Sequence, residues 1–171
     1  MQFSELLARR RSIRHFSTTR PVEDAEITQI LEAGILAPRA GNIQPWRFTV
    51  VKSDAAREQL NDALGQRWVA SAPVVIVVSV DPRPSTSRYG ERGTMLYCIQ
   101  DSAAAVQNML LKAVDLGLAS CWIGAFDEAK VARAVGLTPP ITPVAILPVG
   151  HSAQASGPQP RRPLDEISRW I

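Results

Sequence analysis

Four hydrophobic stretches have the length and composition of β-strands. Residues 74–80, VVIVVSV, are β-branched almost throughout, which is typical of a strand covered on both faces of its sheet. Residues 47–52 and 144–149 predict two further strands, and residues 120–124 predict a short strand or turn. The pattern therefore indicates one small sheet with residues 74–80 at its centre.

Helical periodicity predicts the elements around this sheet. In residues 23–36 the apolar positions recur on one helical face, and Pro38 ends the helix. Residues 94–116 are apolar on most sides, which predicts a long buried helix that ends at Gly117 and is partly covered by a second subunit. The other predicted helices are residues 3–11 with Ser4 as N-cap, residues 54–64 with Asp54 as N-cap, and residues 127–135.

Two polar segments lack such periodicity. Residues 81–93 contain two prolines and several Ser and Arg residues, which predicts a mobile loop. Residues 152–163 predict an extended arm, followed by a short terminal element over 164–170. Because two predicted helices precede the first strand, and because no GxGxxG or P-loop motif is present, an α+β fold of two or three layers is favoured over an open parallel sheet.

Composition narrows the class of protein. The chain has 171 residues, of which 46% are hydrophobic, so residues 1–171 are expected to form a single domain. The net charge is +3, without a continuous basic stripe, which argues against nucleic-acid binding. Two separated cysteines and two histidines offer no metal-ligand spacing. Because neither an apolar leader nor a membrane-length apolar run is present, we expect a cytoplasmic protein with reduced thiols.

The densest cluster of candidate chemistry is a run of arginines near the start of the chain. Arg10, Arg11 and Arg14 surround Ser12. A guanidinium group presents a fork of donors that matches phosphate oxygens, and a hydroxyl adds another donor. The cluster therefore indicates a site for a phosphate monoester. The alternative, a solvated basic helix end, stays open on these residues alone.

A second candidate is the loop between the second predicted helix and the first predicted strand. It holds Pro38, Gly41, Asn42 and Gln44. Proline restricts the loop, glycine permits close approach of the backbone, and amides offer donors and acceptors. Such a loop would pack against the face of a heteroaromatic ring and form hydrogen bonds with the carbonyl groups at its edge. A rigid connection whose amides cap helix ends is the alternative.

Four segments, in chain order, resemble the nitroreductase family of FMN-dependent oxidoreductases: RRSIRHF, APRAGNIQPWRF, QDSAAAVQNMLLKAVDLGLASCWIGAF and RRPLDEI. The resemblance implies an α+β fold, a three-layer α-β-α sandwich with a mostly antiparallel sheet, in an intertwined homodimer. It also implies one FMN at each of two interface sites. NADH or NADPH would reduce this FMN, and ping-pong hydride transfer through flavin N5 would serve a nitroaromatic, quinone or similar acceptor, without a catalytic side chain.

The same resemblance implies roles for individual residues. Arg10, Ser12 and Arg14, with Arg11 beside them, would hold the FMN phosphate and ribityl chain. Arg14 or a neighbouring arginine would also stabilise negative charge on reduced flavin. The resemblance also implies a partner-subunit loop against the isoalloxazine (Pro38, Arg39, Ala40, Asn42, Gln44) and a segment beneath the ring (Ile123, Gly124, Ala125). Gln66 and Arg67 lie where the family often places a polar contact. The C-terminal basic residue that returns to the phosphate would be Arg162, with Arg161 as a second candidate.

Two departures from the family pattern affect the expected pocket. Arg39 stands where the family usually has Ser, and its guanidinium would stabilise charge near the ring, narrow the pocket or face solvent. Residues 81–93 are expected to be a loop where larger members carry helices. The arm, residues 152–171, is expected to pack on the partner subunit. Two other readings stay open: a flavin-binding sensor or storage protein without efficient turnover, and a colourless nucleic-acid-binding dimer.

Overall fold

The computed structural model describes residues 2–171 and places a four-stranded antiparallel sheet between helices. The sheet order is β1-β2-β4-β3. The strands are β1 (Trp46–Val51), β2 (Val74–Val80), β3 (Ala119–Ser120) and β4 (Thr142–Gly150). The helices are α1 (Phe3–Arg9), α2 (Asp24–Ile35), α3 (Asp54–Leu64), α4 (Arg83–Arg92), α5 (Cys98–Asp115) and α6 (Glu128–Ala134).

The central strand organises the three layers. Every residue of β2 is buried, as its β-branched sequence predicts. It pairs antiparallel with β1 on one side and with β4 on the other. Because successive side chains point to opposite faces of a strand, Ile76 and Val78 pack toward α2 and α5, whereas Val75 and Val77 pack toward α3 and α6. The predicted α-β-α sandwich with an antiparallel sheet is confirmed.

The layer formed by α2 and α5 is tightly packed. Ile30 of α2 and Met109 of α5 are fully buried against the sheet, and burial of such a side chain stabilises the fold by about 1.5–3 kcal/mol. A Cβ at Gly34 would lie 3.0 Å from Cγ of Met109, so the glycine permits close helix contact. The longest helix is α5, with 18 residues. Among the described residues, no helix combines the length and apolarity needed to cross a membrane.

The N-caps of two helices differ from the predicted ones. In α3 the cap is Ser53, whose hydroxyl accepts a hydrogen bond from the Ala56 N–H, and Asp54 is the first helical residue. In α1 the cap is Gln2, which makes no side-chain cap bond, and Ser4 lies inside the first turn. The Asp54 prediction was wrong by one residue, because Ser53 and Asp54 both suit the cap position. The Ser4 prediction was wrong by two residues, because α1 begins after Gln2, a residue type that does not favour this position.

The predicted mobile loop over 81–93 is wrong, because this segment forms helix α4, which is kinked at Gly90, where φ is 60° and ψ is -147°. Pro82 is the N-cap and Pro84 lies in the first turn, where a missing N–H removes no helical hydrogen bond. The buried carboxylate of Asp81 accepts hydrogen bonds from the backbone N–H of Arg83 at 3.2 Å and from its guanidinium at 2.9 and 2.6 Å. The prolines therefore start a helix here rather than indicating an irregular loop.

A π-helical turn, Gly93–Tyr97, joins α4 directly to α5. Gly93 is buried, and a Cβ at this position would overlap the carbonyl oxygen of Ser85. The turn of α4 that contains Ser85 thus crosses over Gly93 at a distance that only glycine permits. The long helix predicted for 94–116 is observed as this turn followed by α5, and Gly117, with φ of 73°, follows its end as predicted.

The C-terminal arm lies on the surface of the protein. Residues 152–171 are exposed throughout. They are extended or irregular, except for one short helical turn, Leu164–Glu166. Leu164, Ile167 and Trp170 are exposed by 69%, 59% and 92%. A single chain therefore leaves several large apolar side chains of the arm uncovered.

Replacement of Gly93 by alanine tests the contact between α4 and α5. Alanine favours helix more than glycine does, so only the overlap with the Ser85 carbonyl would destabilise the variant. We expect Gly93→Ala to lower the free energy of unfolding in urea by about 2 kcal/mol. Gly157→Ala is the matched control, because no atom lies within 4 Å of a Cβ there. Equal stability of the two variants would contradict the close contact.

The ion pair at the start of α4 predicts a pH dependence of stability. The hydrogen bond from Arg83 is the main cause that holds the pKa of Asp81 below its ordinary value. A carboxylate with a lowered folded-state pKa contributes stability above its unfolded pKa, about 3.9, and loses it as pH falls through the folded value. We therefore expect Asp81→Asn to unfold at lower urea than wild type at pH 7, with a smaller difference below about pH 4.

The control for this prediction is Asp165→Asn, because Asp165 is exposed and forms no ion pair within residues 2–171. A difference between Asp81→Asn and wild type that stays constant from pH 7 to pH 3 would contradict the role of the charged carboxylate.

Candidate functional site

The arginine-rich segment lies along the edge of the sheet. The N–H of Ile13 donates to the carbonyl of Ser120 at 3.0 Å, and Ser12 forms a parallel bridge with Ser120. Phe16 forms an antiparallel bridge with Ser152, just beyond the end of β4. Since Ile13 and Phe16 are buried, backbone and core contacts together fix this segment between β3 and the start of the arm.

The extended backbone of the arginine segment determines which of its side chains face outward. The predicted helix over 3–11 is two residues too long, because α1 ends at Arg9 and Arg10 has extended dihedral angles. In an extended chain, side chains alternate between two sides. Ile13 faces the core, and its neighbours Ser12 and Arg14 are exposed. Arg10, Ser12 and Arg14 can thus point to the same side, which a continued helix would not allow.

A cavity of about 580 Å³ opens beside this segment. No carboxylate belongs to its lining within the described part of the chain. Guanidinium groups remain charged at all working pH values and bind phosphate oxygens in pairs. The cavity therefore has the charge and donor set for a phosphate group. The side chains that can supply donors or charge are those of Arg10, Arg11, Ser12, Arg14, Gln154, Ser156, Gln159 and Arg161.

Arg11 differs from its neighbours because three of its five N–H donors are already used within the chain. Its Nε donates to the Gly157 carbonyl at 2.9 Å, and its Nη1 donates to the carbonyls of Ala8 and Arg10 at 2.6 and 2.8 Å. The side chain of Gln154 accepts from the N–H of Arg14 at 3.3 Å. These bonds attach the beginning of the arm to the arginine segment and close one wall of the cavity.

The arm brings one of its three arginines to this cavity. Arg161 lines the cavity and donates to the Pro160 carbonyl at 3.0 Å. The Arg162 guanidinium instead pairs with the Glu166 carboxylate at 3.1 Å. In this chain the residue that returns to the arginine segment is therefore Arg161, whereas the family pattern pointed first to Arg162.

Cys121 connects the arginine segment with the next strand region. Its thiol is buried, and burial raises its pKa, whereas Arg14, the Ser12 hydroxyl and Arg10 act in the opposite direction. These opposing effects show that the thiol lies close to the arginine segment. The raised pKa agrees with a packing role rather than a reactive one.

Beyond Cys121 the chain runs outward along the sheet. Ile123 is buried and exchanges two backbone hydrogen bonds with Ile146, at 2.9 and 3.0 Å. Gly124 and Ala125, by contrast, are exposed. An extended chain advances by about 3.3 Å per residue. The structure thus connects the arginine segment to the candidate ring-contacting residues by a short, continuous stretch of backbone.

The loop containing Pro38 to Gln44 lies elsewhere in the chain. Gly41, Asn42 and Gln44 all have left-handed φ angles, of 54°, 59° and 57°. No residue of this loop lines the cavity beside the arginine segment. A single chain therefore does not bring these two groups of candidate residues into one site.

Asp101, at the start of α5, holds this loop in place. Its carboxylate accepts from the Ala40 N–H at 3.0 and 3.2 Å. Burial raises the pKa of Asp101, and the Ala40 N–H and the charge of Arg39 act in the opposite direction. Arg39 donates from Nε to the Asn42 side chain at 2.7 Å and from Nη1 to the Ala37 carbonyl at 3.1 Å. The guanidinium that departs from the family pattern is thus partly engaged by its own loop.

Helix α4 forms the other support of the loop. Nη1 of Arg88 donates to the Gly41 carbonyl at 3.2 Å, and a Cβ at Gly41 would overlap the Tyr89 hydroxyl oxygen. The sequence prediction missed both contacts because it treated residues 81–93 as a loop. Pro82 and Pro84 at the start of the segment were the available signal for a helix.

Gln66 and Arg67 do not join the arginine segment in this structure. The Gln66 side chain accepts from the Trp68 indole N–H at 3.0 Å. Arg67 lines a separate polar cavity with Glu58 and Asp62. Within residues 2–171, no group of three or more His, Cys, Asp or Glu side chains has a metal-binding arrangement.

A further cleft of about 460 Å³ lies next to Gly124. Most of its lining is apolar, and it includes Met95 and Ile99 from the π turn and α5. These two side chains are exposed by 70% and 43%. The cleft therefore places uncovered apolar surface beside the candidate ring-contacting segment.

Comparison with known proteins identifies the family. The model of the nitroreductase family matches residues 7–71 and 62–151. An NADH dehydrogenase of Thermus thermophilus is 30% identical over 190 residues, an alignment that covers 95% of this chain and 92% of the relative.

Solved structures agree with this match. A nitroreductase family protein from Clostridium difficile has a TM-score of 0.87 at 28% identity, with 99% of this chain and 98% of that one covered. One from Streptococcus pneumoniae has a TM-score of 0.88 at 25% identity, with 99% and 100% covered. Because family model, relative and structures agree over nearly the whole length, this chain belongs to the nitroreductase family.

Proposed function

We propose that this protein is an FMN-dependent NAD(P)H oxidoreductase that works as a homodimer. The observation that carries the proposal is the cavity beside the arginine segment, in which Arg10, Ser12, Arg14 and Arg161 offer donors and no carboxylate competes within the described lining. Family membership supplies the ligand class, and the NADH dehydrogenase name of the Thermus relative supports a nicotinamide donor.

The residues present fit the phosphate end of FMN. A phosphate monoester carries close to two negative charges at neutral pH and accepts several hydrogen bonds. Arg10 and Arg14 would bind its oxygens, Ser12 would add a hydroxyl donor, and Arg161 would close the site from the arm. Arg11 would act indirectly, because its bonds to Gly157 and neighbouring carbonyls hold the arm in place.

The ring end would be held by two chains. The segment Ile123, Gly124 and Ala125 of one subunit would lie beneath the ring, near the arginines of the same chain. Loop 38–44 of the other subunit, which Asp101 holds by the Ala40 N–H, would cover the ring. Gln66 is a weaker candidate, because its side chain is engaged by Trp68.

The uncovered apolar surface supports the dimer. Leu164, Ile167 and Trp170 of the arm are exposed, and so are Met95 and Ile99 beside the cleft. Exposed apolar side chains that are neighbours, as within the arm and beside the cleft, are typical of surfaces that another chain covers. Packing of the arm on the partner subunit would bury them and bring loop 38–44 to the partner's cavity.

Bound FMN supplies two-electron redox chemistry, in which a nicotinamide donor and an electron-poor acceptor such as a nitroaromatic or a quinone react in turn. The protein's part is to bind, orient and exclude water. Arg14, or a neighbouring arginine, would also stabilise negative charge near the ring, as the donors of an oxyanion hole stabilise a developing negative charge. No side-chain acid or base is needed for this scheme.

The test of the phosphate site is the variant Arg14→Ala. Loss of a charge-assisted hydrogen bond to a phosphate removes about 1.5–3 kcal/mol, so we expect the dissociation constant for FMN to rise at least about tenfold. Titration of apoprotein with FMN, followed by flavin fluorescence, measures it. Arg20→Ala is the control, because Arg20 is exposed and does not line the cavity. Unchanged affinity and redox potential in Arg14→Ala would contradict the role of Arg14.

The enzymatic part of the proposal is tested on the same wild-type preparation. After reconstitution with FMN, the visible absorbance should bleach on anaerobic mixing with NADH or NADPH and return on addition of a quinone or nitroaromatic. A yellow protein that does not bleach would indicate a flavin-binding sensor or storage protein. A protein that stays colourless after reconstitution would contradict the proposal altogether.

A further inference from the structure

An interlocked group of two arginines and two tyrosines lies on α4 and the π turn; we call Arg88, Tyr89, Arg92 and Tyr97 the arginine–tyrosine cluster. The two rings are perpendicular, with centroids 5.1 Å apart. The Cζ atoms of Arg88 and Arg92 each lie 5.4 Å from the centroid of the adjoining tyrosine ring. Nε of Arg92 also donates to the Tyr97 hydroxyl at 3.0 Å. These contacts hold charged and aromatic groups together on one surface.

The cluster contacts the loop that the proposed function places over the partner's flavin. Arg88 donates to the carbonyl of Gly41, and the Tyr89 hydroxyl oxygen lies 2.5 Å from the position that a Cβ of Gly41 would take. The inference that follows rests on the proposed function for the position of the flavin. If loop 38–44 covers the ring, the cluster lies at the rim of the same pocket, where an electron acceptor would enter.

The charge balance of this surface is positive. Arg83 of α4 is paired with Asp81, whereas Arg88 and Arg92 form no ion pair within residues 2–171. Glu91 is the one carboxylate in the α4 sequence, and it forms no ion pair there either. Arg88 and Arg92 are exposed, and both tyrosines are half-buried. Two exposed guanidinium groups therefore stand beside accessible aromatic edges.

We propose that the arginine–tyrosine cluster selects aromatic electron acceptors that carry a carboxylate or sulfonate group. The tyrosine rings would contact the acceptor ring, and the guanidinium groups would bind its anionic substituent. Phosphates of the nicotinamide donor present the same anionic chemistry. An anionic acceptor and the phosphates of the donor can be told apart, because donor and acceptor react in separate halves of a ping-pong scheme. Loss of the cluster would slow flavin oxidation in the first case and flavin reduction in the second.

The experiment compares an anionic and a neutral acceptor of the same shape, 4-nitrobenzoate and 4-nitrobenzamide, on FMN-loaded protein. In one turnover the nitro group accepts two electrons and becomes nitroso with release of water, while NADH and one proton are consumed and NAD⁺ forms. The variants are Arg88→Gln, Arg92→Gln and Arg88→Lys. Arg92→Gln leaves the Arg88 contact with Gly41 intact, so it separates anion binding from support of the loop.

We expect each glutamine variant to lower the ratio of kcat/KM for nitrobenzoate over nitrobenzamide by about threefold to fivefold. Arg88→Lys should keep most of the ratio, because the charge remains. For wild type, the ratio should also fall as ionic strength rises from about 0.01 M to about 0.1 M, since the Debye length shrinks from about 30 Å to about 10 Å. Arg133→Gln on α6 is the matched control, because this exposed arginine forms no ion pair within residues 2–171.

An unchanged ratio in both glutamine variants, with normal FMN content and normal turnover of nitrobenzamide, would overturn this inference and leave the proposed function intact. An effect confined to the rate of flavin reduction by NADH or NADPH would assign the cluster to the donor and overturn it as well. A wild-type protein that binds no FMN would contradict the proposed function and this inference together.

Discussion

The hydrogen bond from the Ile13 N–H to the Ser120 carbonyl, 3.0 Å long, fixes the segment on which the proposed phosphate site depends. It holds an extended strand-like segment against the edge of β3, with Ile13 and Phe16 buried beneath it. Backbone alternation then directs Ser12 and Arg14 outward. Because the same edge continues into Cys121 and Ile123, this one attachment places the arginines beside the residues that would underlie the ring.

Much of the fold follows from local sequence patterns. The bounds of β2 agree with the prediction because residues 74–80 are continuously β-branched, and the alternating contacts of that strand produce the three layers. Hydrophobic periodicity could not reveal helix α4, for which the prolines at its start were the available local signal. Its ten residues bury only Ser85, and its stability depends on Asp81 and on the crossing over Gly93. Contacts of that kind leave no periodic signal in the sequence.

The candidate site, too, could be predicted from the sequence only where its residues are neighbours in the chain. A cluster of arginines within five residues is visible in the sequence, and the structure brings them to one cavity. The sequence could not show which of the adjacent residues Arg161 and Arg162 lines the cavity. That depends on the ion pair of Arg162 with Glu166, four residues further along the chain. Support of loop 38–44 by Asp101 and Arg88 joins residues about 50 or more positions apart, which no local pattern reveals.

If the arginine segment of one chain and loop 38–44 of another form each flavin site, two chains with different defects should complement each other in a mixed dimer. One chain would carry Arg10→Ala and Arg14→Ala, and the other Pro38→Asp and Ala40→Asp, with different affinity tags for isolation of the mixed dimer. FMN content is then measured for each dimer. We expect no FMN in either variant homodimer and one FMN in the mixed dimer, where one site has both intact halves. Absence of FMN from a folded mixed dimer, or normal FMN content in the loop variant alone, would contradict a flavin site shared between two chains.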